Sequence, residues 1–401
     1  MSPSADLTTD QFPRLLYLAD VPVENTYAGG ALLYRLLKNY PPWKLLVICP
    51  PTAPGSRLPG VSYRIETDRW WPRLSRTRFS TLYALLLAWW RSQRWKGFEA
   101  ATASFSPQAV MTVAQSATWM AAWKFARRAR IPLYLVTHDD GNYRSLFPAW
   151  SQNWAERQFA LAYREATVRY CVSPRMAEIY NRRYGATGTV LLPCTDPANT
   201  VYTLPAPQTT TPHHPLQFAY AGSLHGESNL RQIAALATAL GKRSHRLVVF
   251  TPDHAALRTQ LGDPLPTCIQ VEAPLPPDKI LPRLRELADV LVVIVGFSNE
   301  QRAATETLFN TKVADYSVVG LPVLIHAPPY AAVTAFFRQQ PGAAEMIDQE
   351  PDSAVMHEAI QRLEDPAHRS RLATSMLQLG QRLFSSAAAW QVFRRSIHAG
   401  R

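Results

Sequence analysis

The chain has little cysteine and no long run of apolar residues. Its four cysteines, Cys49, Cys171, Cys194 and Cys268, lie far apart in 401 residues. That scatter excludes a zinc knuckle or a paired redox motif, and reduced thiols in a cytoplasmic protein are expected. The longest apolar stretches, "LYALLLAWW" and "VLVVIVGF", fall short of the ~20 residues that cross a bilayer. The opening "MSPSADLTTDQFPR" lacks the basic-then-apolar pattern of a secretory signal. These absences lead to the expectation of a soluble or peripheral protein, cytoplasmic or on the inner face of the plasma membrane. Acidic residues are also scarce in one half. Residues 1–195 hold 24 Lys and Arg against 12 Asp and Glu, whereas residues 196–401 hold 18 of each. Charge segregated in this way suits a first half that faces an anionic partner or surface.

What is present is ordinary for a globular chain, with 47% hydrophobic residues, and the length favours two domains. Strand-like apolar runs alternate with amphipathic helical stretches. "RLLYLAD" (14–20), "KLLVICP" (44–50), "AVMTVA" (109–114), "PLYLVTHDD" (132–140) and "ATVRYCVS" (166–173) read as strands, with helices over 29–40, 117–130, 152–165 and 174–184. After "DPANTVYTLPAPQTTTPHHP" (196–215), rich in Pro and Thr, the alternation restarts at "LQFAYAGSL" and runs to "LPVLIH" (321–326). Alternation of this kind predicts α/β architecture with two doubly wound parallel sheets, each Rossmann-like. The expected layout is a first domain over 1–195, a linker over 196–215 and a second domain over 216–383. Ligands of open sheets bind outside the strand C-terminal ends, so a cleft between the sheets is expected to hold them.

In "FNTKVADYSVVGLPVLIH" (309–326), a helix over 311–319 follows the buried strand "ADVLVVIVG" and stops at Gly320 and Pro322. The connection before it is about 15 residues, against the usual 2–6, which suits a ligand loop. A helix N-terminus offers unpaired N–H groups and partial positive charge to a phosphate. Lys312 adds a full charge, and Asp315 can accept from vicinal hydroxyls. An acid in a first helical turn also stabilises the dipole with no ligand at all. Gly29 and Gly30, where a strand turns into a helix, let backbone N–H groups approach a phosphate or sugar, or simply permit a tight turn. His138 ends an apolar strand and meets Asp139 and Asp140. It could donate to a sugar hydroxyl, with a carboxylate fixing its tautomer, or belong to a polar surface turn. Adjacent strand residues point to opposite faces, so a metal site is not expected there.

The segment "RWWPRLSRTRFSTLYALLLAWWRSQRWKGF" (69–98) holds seven basic residues, five tryptophans and no acid. Trp70, Trp71, Arg91, Arg94 and Trp95 suit contact with an anionic membrane, Trp at the boundary and Arg on phosphates. The same apolar centre suits a core helix. Arg and Trp can also stack on nucleic acid, but no nucleic-acid module is recognised, and none is expected as a partner.

Together, "FNTKVADYSVVGLPVLI" resembles the nucleotide-sugar signature of GT-B glycosyltransferases of the family 4 type. "YAGG" (27–30) resembles that family's N-terminal glycine loop and "VTHDD" (136–140) its strand-end histidine segment. "YCVSPRMAEIYNRRYG" (170–185), "FAYAGSL" (218–224) and "FSSAAAWQVFRRSI" (384–397) resemble, in order, the last β-α unit of its first domain, the opening strand of its second and its closing helix. The family often carries two glutamates eight positions apart; here Thr307 stands eight before Asp315, with Glu306 beside it. The basic pair that often follows the second-domain glycine is absent from "GSLHGESN".

The resemblance implies a retaining glycosyltransferase that moves a sugar from a nucleotide-sugar to a hydroxyl of a lipid-linked or cell-surface glycan, without metal or other cofactor. It implies His138 and Lys312 as catalytic, and Gly29, Gly30, Gly222, Ser223, Asn310, Thr311 and Asp315 as donor-binding. Asp139 and Asp140 would contact sugar or acceptor, and the segment 384–401 would return to the first domain. A catalytically silent GT-B-like protein that binds glycans or a partner is the alternative, and an epimerase on the same plan is a third.

Overall fold

A computed structural model describes residues 11–25, 28–66, 80–196, 203–204, 215–224, 226–351 and 354–399. The chain forms two compact units, Met1–Leu191 with Trp390–Arg401, and Leu192–Ala389. Most of the 196–215 linker, together with Trp70 and Trp71, lies outside the described residues, as does the side chain of Trp95.

The first unit runs β1 (Leu15–Leu18), α1 (Ala28–Leu37), β2 (Leu45–Cys49), β3 (Ser62–Ile65), α2 (Ser80–Gln93), α3 (Trp95–Thr102), β4 (Ala109–Val113), α4 (Thr118–Ala129), β5 (Leu133–Thr137), α5 (Gln152–Glu165), β6 (Val168–Cys171), α6 (Pro174–Tyr184) and β7 (Thr189–Val190). Its seven strands are parallel in the order β3-β2-β1-β4-β5-β6-β7. Strands β1, β2, β4 and β5 are buried along their whole length, as continuous apolar runs covered by helices on both faces must be. The edge strand β3 alternates exposed and half-buried residues. It has no apolar run, so the apolar pattern does not reveal it.

Helix ends follow local chemistry. Ser173 accepts from the Met176 N–H and Pro174 opens α6, while Gly185 closes it in the left-handed region. Inside the unit, Tyr143 stacks on Phe159 at 3.9 Å. The Tyr143 and Tyr184 hydroxyls donate to Glu156 at 2.5 and 2.6 Å, which satisfies polar atoms that burial would otherwise strand.

The second unit runs β8 (Gln217–Ala221), α7 (Glu227–Gly241), β9 (Arg246–Phe250), α8 (His254–Leu261), β10 (Ile269–Glu272), α9 (Pro277–Leu287), β11 (Val290–Ile294), α10 (Arg302–Thr305), α11 (Lys312–Tyr316), β12 (Val323–His326), α12 (Ala332–Arg338), β13 (Glu345–Ile347), α13 (Ala354–Glu364), α14 (Pro366–Leu379) and α15 (Ser386–Ala399). Its six strands are parallel in the order β10-β9-β8-β11-β12-β13. Phe218, Leu247, Val249, Val290, Val292 and Leu324 meet Ile233, Leu236 and Leu240 of α7 in its core. From Trp390 onwards α15 belongs to the first unit. Trp390 stacks on Phe12 at 5.6 Å, Phe393 lies against Tyr170, and the Tyr170 hydroxyl bonds that of Ser396.

In each sheet the strand order reverses once, between β1 and β4 and between β8 and β11. The C-terminal ends of those pairs are the places where an open α/β sheet leaves a crevice for a ligand.

Candidate active site

The β8/β11 switch point holds the 309–326 motif. Helix α11 is only Lys312–Tyr316, shorter than the expected 311–319, and residues 317–319 continue as turns before Gly320. So brief a helix has little macrodipole, and the charge of its first residue matters more. Thr311 makes no side-chain cap. Asn310 does that work instead, its Oδ1 accepting the Lys312 N–H at 3.0 Å. Phe309 anchors the turn from behind, its ring 5.1 Å from Phe336 and 5.8 Å from Phe384.

From there the Lys312 side chain reaches the end of β8. Gly222 has φ +136°, and a Cβ on it would lie 2.4 Å from Lys312 Cε and 2.7 Å from Nζ. Only glycine leaves that notch open. The ammonium sits 5.2 Å from the Tyr220 ring centroid, within range of a cation–π contact. Burial pushes the Lys312 amine down to about 8, against a smaller opposing pull from the charge of Asp315.

The loop after β8 is pinned by its neighbours. The Tyr220 hydroxyl donates to the Ser223 carbonyl at 2.7 Å, the Tyr316 hydroxyl accepts from the Ala221 N–H at 3.0 Å, and Asp253 accepts from the Leu224 N–H at 2.7 Å. Helix α7 begins next, and its first residue has no side-chain cap from Gly226. The loop after β11 passes beside this turn: a Cβ on Gly296 would lie 2.8 Å from Asn229 Oδ1 and 3.1 Å from Ser228 Oγ. One cation and the uncapped start of a long helix thus flank a fixed loop, a setting that suits a phosphate. Thr307 is buried, its hydroxyl donating to the Ala304 carbonyl at 3.0 Å, and Glu306 pairs with Arg302 at 3.0 Å.

The first unit corrects several expectations. Gly29 and Gly30 lie inside the first turn of α1, not in a loop before it. A Cβ on Gly30 would come within 2.5 Å of the Pro22 carbonyl oxygen, so Gly30 admits the backbone that follows β1. His138 follows β5. Burial holds its imidazole down to about 4, so it is neutral near pH 7. Its Nε2 is out of solvent with no hydrogen-bond partner among the described residues. Neither acid beside it orients that nitrogen. Asp139 accepts from Asn142 at 2.8 Å, and burial raises its carboxyl. Asp140 accepts from the Tyr180 hydroxyl at 2.8 Å and from Arg183 at 3.0 Å, which tethers it to α6.

Arg91 and Arg94 are likewise engaged within the unit, not presented to a lipid surface. Arg91 pairs with Asp20 at 3.2 Å and donates to Ser116 Oγ at 2.7 Å. Arg94 pairs with Glu66, and its guanidinium lies 4.6 Å from the Trp90 ring and 5.2 Å from Phe98. Together with Asp20, Glu66, Cys49 and Thr118 they line a cavity of about 130 Å³ at the ends of β1 and β2. Asp20 also accepts from the Ala117 and Thr118 N–H groups at 3.3 and 3.0 Å, capping α4. The sequence reading passed over Asp20, although an acid closing "RLLYLAD" was a visible signal. It also passed over His326, which closes β12 as His138 follows β5. The His326 Nε2 bonds the Gln349 carbonyl, and its buried Nδ1 has no partner among the described residues.

No family model matches the chain, and no curated protein matches it by sequence. Solved structures do match it in shape. Sucrose-phosphate synthase from Thermosynechococcus elongatus aligns over 96% of this chain and 99% of its own, with a TM-score of 0.63 at 16% identity. HepE from Anabaena, in complex with UDP and glucose, aligns over 97% and 100% with a TM-score of 0.65 at 13% identity. The fold is GT-B. A glycosyltransferase from Rickettsia africae gives a TM-score of 0.62 at 11% identity, over 96% of this chain and 97% of its own. At such identities the likeness carries architecture, and GT-B architecture is what two parallel sheets of seven and six strands provide. Among the described residues of this GT-B chain, no group of three or more His, Cys, Asp or Glu converges as metal ligands, and no helix is long and apolar enough to cross a membrane.

Proposed function

We propose that the chain is a glycosyltransferase that moves a sugar from a nucleotide-sugar donor to a hydroxyl of a lipid-linked or cell-surface glycan, with retention. The observation that carries this reading is the Lys312 amine lodged against Gly222 at the β8/β11 switch point. HepE, a structure of this fold, binds UDP and UDP-glucose, which supports a nucleoside diphosphate as the group held there. The second unit would hold the donor through Lys312, the backbone at Gly222 and Ser223, and the start of α7, with Asp315 toward the ribose. The first unit would offer the acceptor the polar cavity lined by Asp20, Glu66 and Arg91. Catalysis then rests on orientation and on stabilising the departing diphosphate. With a pKa of about 8 the Lys312 amine is charged in about nine molecules of ten at pH 7. It meets the developing charge in a partly desolvated setting, which is why a reaction without metal is proposed. Neutral His138 would donate to or accept from a hydroxyl of the transferred sugar.

The test is a thermal-shift screen with nucleoside diphosphates and their sugars, followed by turnover of the best donor. Lys312→Ala should lose the ligand shift and turnover by at least about a hundredfold while keeping its own melting temperature. Gly222→Ala, which fills the notch at a φ that only glycine takes easily, should also lose the ligand shift, with a lower melting temperature of its own. Normal turnover by Lys312→Ala would end the reading. A silent, glycan-binding protein is the second reading, favoured by the sequestration of Glu306 and Thr307; it predicts glycan binding with no nucleotide shift.

A further inference from the structure

Helix α5 is apolar on two sides, and only one is used by the fold. Ala155, Phe159, Ala162 and Tyr163 are buried. A helix on the surface of a globular unit ordinarily turns polar residues to the other side. Here Trp154 and Leu161 stand 48% and 42% exposed on one line with the exposed Arg157 between them, and Trp150, 72% exposed, sits in the 3-10 turn that leads into the helix. Helix α2, which packs against α4 as α5 does, repeats the pattern with exposed Leu82, Leu86 and Trp89. Tryptophan left in water at such spacing is costly unless something covers it.

We infer that the outer stripe of α5 rests on a lipid surface with anionic headgroups, Trp150 and Trp154 at the polar–apolar boundary and Leu161 reaching below it. Charge decides between a bilayer and a second copy of the chain. The first unit carries 27 Lys and Arg against 12 Asp and Glu. A two-fold contact would set two units of net positive charge against each other, whereas anionic headgroups attract the same charge at about 1 kcal/mol per basic residue near the surface. Trp beside Arg on an apolar stripe is the composition of an interfacial helix. The contact therefore lies on α5, and not on the paired Arg91 and Arg94. The inference stands apart from the donor-site reading, because its readout needs neither nucleotide nor turnover.

Flotation of the full chain with vesicles tests it, using phosphatidylcholine alone and phosphatidylcholine containing about a third phosphatidylglycerol. The natural chain should float with the anionic vesicles and release at high salt. Trp150→Ser with Leu161→Gln, which spares the Trp154 ring packed 5.8 Å from Phe147, should lower vesicle affinity by roughly tenfold or more. Its melting temperature and its nucleotide response should be unchanged. Leu275→Gln, an exposed leucine of the second unit, should bind as the natural chain does. Failure of the natural chain to float, equal binding by the double variant, or an equal loss in the Leu275 variant would each overturn the inference. So would a dimer in sedimentation velocity that the double variant splits, since a second copy would then be the occupant.

Discussion

At the scale of single residues, the decisive property is the proton on Lys312. Its pKa of about 8 in the folded chain is below the ordinary 10.5. Between those values the unfolded chain binds more protons than the folded one, so unliganded stability should rise as pH climbs through this window. Anion binding should run the other way, because it needs the proton. UDP affinity is expected to fall by roughly thirtyfold between pH 7 and pH 9.5, measured by calorimetry. Near pH 8 binding should take up protons from the buffer. In Lys312→Ala both slopes should flatten; a slope that survives there would assign the proton elsewhere. His138 provides the contrast. With its pKa held near 4, a turnover profile should show no limb near 6.5. Stability should be lost as pH falls from about 6.5 towards 4, since the unfolded imidazole takes the proton first. His138→Gln should remove that acid loss in a urea titration at pH 5. Lys312 was legible as a candidate because a cation after a long loop is visible in one dimension. Its notch was not, because the pairing of residue 312 with residue 222 exists only once β8 and β11 lie side by side.

At the scale of elements, the strands were legible wherever burial on both faces leaves an uninterrupted apolar run. Helices α5 and α6 matched their expected limits, α6 because Ser173, Pro174 and Gly185 mark its ends in the sequence. Helix α8, the edge strand β3 and everything after β12 except α15 went unread, since short or half-exposed elements have weak periodicity. Partners were not legible where one side chain had two suitable ones. The sequence shows that Arg91 is basic and near tryptophans; it does not show that Asp20, 71 positions earlier by number, turns it inward. Asp20 is the test of that packing. It caps α4 and holds Arg91 at once, so Asp20→Ala should cost about 2–4 kcal/mol, a lost cap plus a half-buried cation without its partner. Chemical denaturation would measure it. Asp20→Asn, which keeps an accepting oxygen, should recover roughly half. A loss under about 0.5 kcal/mol would mean that the cap and the ion pair contribute little.

For the whole molecule, the two units differ in charge more than in architecture. Met1–Leu191 with Trp390–Arg401 holds 27 basic and 12 acidic residues, and Leu192–Ala389 holds 15 and 18. Self-repulsion in the first unit weakens with added salt, whereas the nearly neutral second unit has little to relieve. Donor binding should act in the opposite place, on the unit that holds Lys312 and Gly222. Calorimetric melting should therefore resolve two transitions with separable levers. Raising salt from about 0.02 to 0.3 M, which shortens the screening length several-fold, should lift one of them. UDP at about a hundred times its dissociation constant adds about 2.7 kcal/mol to whatever binds it. For a unit of this size that is a rise of about 5–10 °C, confined to the transition that salt leaves alone. Lys312→Ala should abolish the UDP shift and leave the salt shift intact, whereas the Trp150 and Leu161 double variant should alter neither. If UDP raised the salt-sensitive transition instead, the nucleotide would sit on the basic unit and the site at Lys312 would be wrong.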